Sequence, residues 1–488
     1  MACTTILAGK LATNDGSTFM ARNEDAPDRQ FNPKKFIVVN PDDQPRAYES
    51  VISHCKVALP DNPLRYTAVP NAINNEGIWG EAGINAANVA MSETETITSN
   101  PRVLSADPLV KEGLGEEDFL TVVLPYIHSA REGVERMGAL LEEYGTYEMN
   151  GIGFQDTDNV WWFETIGGHH WIARRVPDDC YVVMPNQQGI DYFDFTDAFG
   201  DQNDFMCSED LISFIEDNDL DVMMLEEDCP LAEETAFDVR GAFGSHDDSD
   251  KTYNTPRAWY MLRCLNPTSF EFDGPHADFR PTDQNLPWCM VPERKLTAED
   301  VKYVLSAYYQ NTPFDPYLQE GMGRSVFRPI GINRNNFMAL TTIRPNVDEG
   351  YAGVQWMCMG SNPFNAQVPF YTNVSVTPAY YANTDDTVTT NNIYWTNRLV
   401  AAMADSHKKD CASIIERYQN AVHIEARRLL KESDAGAKDL EGEALQAHLE
   451  QANQAMSDMM EDKTNKLLAD VLYTCSTLMK NGFGRSDA

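Results

Sequence analysis

The residue with the most chemistry to offer stands at position 3. If Met1 and Ala2 are removed, Cys3 becomes the first residue and owns both a thiol nucleophile and an α-amine whose ordinary pKa is about 7.7–8.0. For the amine to take up a proton it must be neutral near pH 7. For the thiol to attack it must be partly thiolate, which asks for a nearby cation and oriented hydrogen bonds. Arg22-Asn23-Glu24-Asp25 offers both: Arg22 to favour the thiolate, Asp25 to orient the α-amine. Ordinary methionine removal stops at Ala2, so a second cleavage, expected to be autocatalytic, must precede the appearance of that amine.

These groups can meet only if the chain doubles back. Thr4-Thr5-Ile6-Leu7-Ala8 is a β-type run, Asp15-Gly16 is hairpin-turn chemistry, and Thr18-Phe19-Met20-Ala21 returns, so an antiparallel pair carries Cys3 and Arg22 to side-chain reach. Val160–Thr165 and His169–Arg174, joined at Gly167-Gly168, form a second expected hairpin, in which the adjacent His169 and His170 would point to opposite faces and could not share a metal. Between them, residues 118–144 repeat apolar side chains at three- and four-residue spacing and predict a helix that Pro125 either kinks or starts. Residues 201–250 hold 17 acidic side chains against one basic, Arg240, and read as a solvated excursion. Asp217–Asp221 opens like a calcium loop, but Val222 replaces the required glycine and Asp228 the required glutamate, so no EF-hand is expected. Beyond Asn391 proline vanishes, and Leu445, Leu449, Ala452, Met456 and Met459 recur at heptad-like spacing. That helical end would pack on its own domain or, in a homo-oligomer, on a second subunit; the absence of an evident flanking charge code favours the former.

Cys3-Thr4-Thr5 together with Arg22-Asn23-Glu24-Asp25 resembles the opening of the PepD-type cysteine dipeptidases. These belong to the N-terminal-nucleophile (Ntn) hydrolase superfamily, with penicillin V acylase, bile salt hydrolase and the secernins. The resemblance continues through Gly83-Ile84-Asn85 with Val89–Thr94, Asn150–Phe154 with Trp161–Thr165, Pro185-Asn186-Gln187, Tyr253–Arg257 and Val368–Tyr371. It implies a four-layer αββα sandwich over residues 3–385, with residues 386–488 a helical extension packed on it. It implies as catalytic residues Cys3, Arg22, Asp25, Asn186 as side-chain oxyanion donor, and Arg257 beside the thiolate or on a substrate carboxylate. Asn85, Ser92 and Glu93 are the expected substrate-binding positions, Glu93 for the amino end of a dipeptide. The implied products are free amino acids, with no metal or cofactor.

Composition narrows the class further. The chain has 488 residues, 42% of them apolar and 23% charged, enough for a large folded enzyme. Its 38 basic and 75 acidic side chains leave a formal charge of −37, which repels phosphate backbones and anionic lipid, so neither nucleic acid nor a membrane surface is expected as partner. No run approaches a bilayer span, and ten scattered cysteines without a CxxC pair suit a reducing, cytoplasmic setting. No phosphate loop and no GxSxG elbow appears. Two other functions fit the same blocks: an acylase-like amidase acting on a non-peptide amide, and a secernin-like interaction protein that is not an enzyme.

Overall fold

The computed structural model describes residues 2–27, 30–73, 77–223, 230–318 and 320–480. The twelfth position of the calcium-like loop, Asp228, lies outside them. Two large antiparallel sheets organise the chain. The first contains β1 (Ala2–Ala8), β2 (Thr18–Asp25), β8 (Tyr181–Met184), β10 (Cys289–Met290), β11 (Asn335–Ile343), β12 (Gly353–Met359) and β13 (Val368–Tyr371). Its spatial order is β10-β8-β1-β2-β11-β12-β13. The second contains β3 (Ala82–Ile84), β4 (Ala90–Glu95), β5 (Asn150–Gln155), β6 (Val160–Ile166), β7 (His170–Arg175) and β9 (Phe205–Cys207). It is ordered β9-β7-β6-β5-β4-β3.

Strand alternation sets what each face does. On β1, Leu7 packs with Met20 of β2 and with Ile84, Ala90 and Trp162 of the second sheet. Ile6 and Ala8 turn the other way, toward α3 (Thr255–Leu265) and α4 (Ala298–Leu305). The outer face of the second sheet is covered by α1 (Glu116–Val123) and α2 (Ala130–Tyr144). A helical segment was expected across 118–144. It is broken at Pro125: the chain passes through a 3-10 turn at Leu124–Tyr126 and restarts where the Ser129 hydroxyl accepts from the Glu132 N–H at 3.1 Å.

Over its described residues, the acidic stretch 201–250 is not a solvated excursion. Phe205, Leu211, Phe214, Ile215, Phe237 and Phe243 are buried in the core between β9 and its flanking turns. Carboxylates that look solvated in the sequence are partly used inside it: Asp238 Oδ1 accepts from the Gly241 N–H at 2.8 Å and Asp250 Oδ1 from Asn254 Nδ2 at 2.6 Å. The two histidines also differ from expectation. β7 begins at His170, so His169 is a turn residue, the alternation rule does not apply, and both Nδ1 atoms meet Asp107, at 2.8 and 2.7 Å. They tie a turn to the loop after residue 106.

The C-terminal helices α5 (Ile393–Ala404), α6 (Lys408–Ala437) and α7 (Gly442–Thr477) pack on this same body. Leu449 and Met456, two of the heptad-like positions, are buried there. No helix among the described residues is long and apolar enough to cross a membrane. The free edge of β13 is sealed by a side chain of α7. Asn453 Oδ1 accepts from the Tyr371 N–H and its Nδ2 donates to the Tyr371 carbonyl, each at 2.9 Å, replacing the strand that an exposed edge would recruit. Replacing Asn453 with Ala leaves a buried N–H and carbonyl unpaired. Urea denaturation is expected to show a loss of about 1–3 kcal/mol, with the fold retained.

Candidate active site

Cys3 and Leu7 share a face of β1, so Cys3 points between the sheets. The hairpin register sets Cys3 opposite Glu24 and Thr5 opposite Arg22. Arg22 then reaches diagonally, and its Nη2 lies 2.6 Å from Cys3 Sγ. The chain still carries Met1 and Ala2, so the Cys3 nitrogen is a peptide amide, and it donates to Asn186 Oδ1 at 3.2 Å.

Arg22 is wholly buried and shared. Its Nη1 is 2.6 Å from Glu81 and its Nη2 3.0 Å from Glu116, at the first position of α1. Lys34, also buried, bridges Glu24 at 2.6 Å and Glu81 at 3.2 Å. Three carboxylates thus surround two cations. Glu81 stays ionised, because Arg22 and Lys34 outweigh its burial and hold it below the ordinary range. Burial and then the neighbouring Glu81 push Glu24 up to about 8 and Glu116 up to about 7. Burial pushes the Cys3 thiol up to about 12; Arg22 opposes this, but Glu116 and Glu81 add to it. With Ala2 in place the sulfur is therefore held as a neutral thiol.

A second, positive group lies on the other side of Cys3. Arg257, in the first turn of α3, donates to the Cys3 carbonyl, to Thr4 Oγ1 at 2.7 Å, to Asn186 Oδ1 at 2.8 Å and to Asn254 Oδ1 at 2.7 Å. Asn186 thus has its amide oxygen turned to Cys3 and Arg257. The segment after it is anchored on β6 by Glu164, whose Oε1 accepts from the Gly189 N–H at 2.7 Å and from Trp162 Nε1 at 2.9 Å. Asp25 falls on the face of β2 opposite Arg22, bonded to Arg328 and Asn335 rather than to Cys3.

Of the sequence-derived positions, the structure brings Arg22, Asn186 and Arg257 into direct contact with Cys3. Asn85 is used elsewhere. Its Nδ2 donates to the carbonyls of Leu124 and Ile127, both at 2.8 Å, and its Oδ1 caps the turn into β4 through the Ala87 and Val89 N–H groups. Ser92 is buried with no hydrogen-bond partner for its hydroxyl. Glu93, on the opposite face of β4, is buried beside Glu81 and Glu116. Its burial, then those two carboxylates, lift it well above the carboxylate range, with Arg22 opposing them.

Sequence reasoning missed Lys34, Glu81, Glu116, Glu164 and Arg328. Only one of them left a local sign: Glu81 follows Gly80, and it adopts a left-handed backbone with φ +68° that its buried ion pairs must hold in place.

Comparison with known proteins identifies the family. The model of Peptidase family C69 matches residues 2–421. A dipeptidase of Bifidobacterium longum (strain NCC 2705) is 51% identical over 539 aligned residues, spanning all of both chains. A probable dipeptidase A of Streptococcus pyogenes serotype M3 (strain SSI-1) is 52% identical, again over the whole of both. Dipeptidase A of Lactobacillus helveticus is 44% identical over 96% of each chain. The chain belongs to peptidase family C69.

Burial lifts Glu164 from 4.5 to about 7. The folded state therefore holds more protons than the unfolded state between those values, and stability contributed by this group is complete below about pH 4.5 and lost as pH rises through 7. Glu164→Gln keeps an acceptor for Gly189 and removes the titration. Denaturation curves at several pH values are expected to show the variant gaining on the parent by on the order of 2–3 kcal/mol between pH 4.5 and 8.

Proposed function

We propose that this protein is a cysteine dipeptidase that hydrolyses dipeptides to free amino acids, built on the four-layer αββα Ntn sandwich. Cys3, freed by loss of Met1 and Ala2, is its nucleophile. Residues 3–385 form the catalytic body, and 386–488 a helical extension that closes a sheet edge. The observation that carries the reading is the environment of Cys3: its Sγ is 2.6 Å from a buried guanidinium, and its nitrogen is 3.2 Å from the Asn186 amide oxygen. Relatives named dipeptidase, aligned over their full length, support the substrate class.

The reaction follows from the charges. In the intact chain the Cys3 nitrogen is an amide and cannot take a proton; cleavage of the Ala2–Cys3 bond, which we take to be autocatalytic, turns it into an amine one residue-length from the sulfur. The thiol proton passes to that amine, Arg22 stabilises the resulting thiolate, and the sulfur attacks the peptide carbonyl. The oxyanion forms toward the donor end of Asn186, whose orientation Arg257 fixes. The α-amine, now protonated, gives its proton to the departing amino group, and water completes hydrolysis of the thioester. Glu116 and Glu93 line the side of Cys3 where the substrate's ammonium is received. Asp25 acts through Arg328 and Asn335 in holding the end of β2.

Intact-mass measurement of the active protein is expected to show both Met1 and Ala2 missing, and Cys3→Ala to abolish dipeptide turnover. Asn186→Ala is expected to lower kcat by about 100- to 1000-fold, the usual cost of one oxyanion donor. A fully active protein that begins with Ala2, or a Cys3→Ala variant that still turns over, overturns the mechanism.

A further inference from the structure

We propose, resting on the dipeptidase reading of the Cys3 site, that Arg334 and Tyr253, backed by Arg328, form the subsite that takes the substrate's free carboxylate and confines the enzyme to peptides with an unblocked carboxyl end. Three guanidinium groups converge on Tyr253. The Cζ of Arg257 is 5.3 Å and that of Arg328 5.0 Å from the ring centroid, and Arg334 Nη2 donates to the phenol oxygen at 2.9 Å. Among the described residues, one carboxylate pairs with this group: Asp25, through Arg328. Three cations against one anion leave positive charge uncompensated in a mostly buried place. Its effect is visible on the neighbours: burial and then Arg328 pull Arg257 down to about 9, and the three arginines lower the Tyr253 phenol in spite of its burial.

The cluster divides by task. Arg257 is committed to the Cys3 carbonyl, Thr4, Asn186 and Asn254, and Arg328 to Asp25 and the Pro329 carbonyl. Arg334 is half-buried and is held by the Ala26 carbonyl at 2.8 Å and by Tyr253, which places it where solvent and ligand reach it. Its anchor is near the reacting centre in register. Ala2 pairs with Asp25, so Ala26 lies one residue beyond the position opposite the residue whose departure frees Cys3. An extended two-residue peptide spans about 7 Å. Glu81 and Glu116 lie on the other side of Cys3, each paired with Arg22. An arginine fork with a phenol beside it suits a carboxylate.

Steady-state kinetics on a free dipeptide and on its C-terminal amide tests this. Arg334→Gln is expected to raise KM for the free dipeptide at least tenfold, leave kcat within about twofold, and leave the amide's KM unchanged; Arg334→Lys is expected to recover part of the loss. Equal loss on both substrates, or no loss on either, overturns the subsite. A second measurement avoids any folding defect of the variants: on the unaltered enzyme, an amino acid product is expected to inhibit competitively at least tenfold better than its amide, and equal inhibition overturns the subsite. Cys3→Ala, assayed alongside, separates the two claims. If it stays active, the nucleophile assignment fails whatever Arg334 does; if it is inactive while Arg334→Gln behaves as the parent, only the carboxylate subsite fails.

Discussion

A single buried guanidinium, that of Arg22, holds the site together. It contacts the Cys3 sulfur and two carboxylates, Glu81 and Glu116, and none of the four groups has water to fall back on. A buried charge is tolerable only when its partners are in place, and removing one partner of such a pair costs several kcal/mol because the other is left stranded. The arrangement is therefore all or nothing: Lys34 must be there to offset Glu24 and Glu81, and Glu81 must keep its left-handed backbone to face both cations. The same arrangement explains why a cation in contact does not by itself make a reactive sulfur. Arg22 is shared with two anions that act on the thiol in the opposite sense, and burial adds to them. A basic group placed next to the sulfur would change that balance, because it could take the thiol proton.

The sheets are what make this placement possible. Two-residue alternation along β1 sends Cys3 inward and Thr4 outward, so one strand end faces Arg22 on one side and Arg257 on the other. Alternation along β2 does the same with Arg22 and Asp25. The separation of the Arg22 cluster from the Arg257 cluster on either side of Cys3 is thus a consequence of pleating. Close approach of the two sheets matters too. Gly153 of β5 sits against Met20 and Leu7, and a Cβ there would run into the Met20 sulfur.

The parts of the site legible in the sequence are those that a local pattern carries. Asp15-Gly16 between two β-type runs fixes the hairpin, and with it the proximity of Cys3 and Arg22. Asn186 and Arg257 were reachable because each lies in a short block that resembles the family's. Lys34, Glu81 and Glu116 had no such block. Each comes from a different element, reads as an ordinary surface charge, and acquires its meaning only from long-range packing. Asn85 failed in the opposite way: it sits in a matched block, but its amide is consumed by the turn between β3 and β4 and by the chain end of α1. The acidic run from 201 to 250 misled because charge count hid the phenylalanines that decide where the segment goes. The histidine pair misled because the strand starts one residue later than its composition suggests.

The composition of the chain changes abruptly after Asn391, where the C-terminal helices begin. The family match nevertheless runs to residue 421, and the full-length relatives cover the rest. The physical reason is in the first sheet. From Cys3 the ladder runs through β2, β11 and β12 to β13, and β13 ends the sheet. There Asn453 supplies the missing backbone partner, while Arg344 and Tyr371 both hold Asp434 of α6, at 2.8 and 2.7 Å. A sheet that sets Cys3 against Arg22 needs fixed register in all its strands, because a one-residue slip reverses every face. The helices supply that at the edge, and in doing so they become part of the machinery that keeps Cys3 pointing at Arg22.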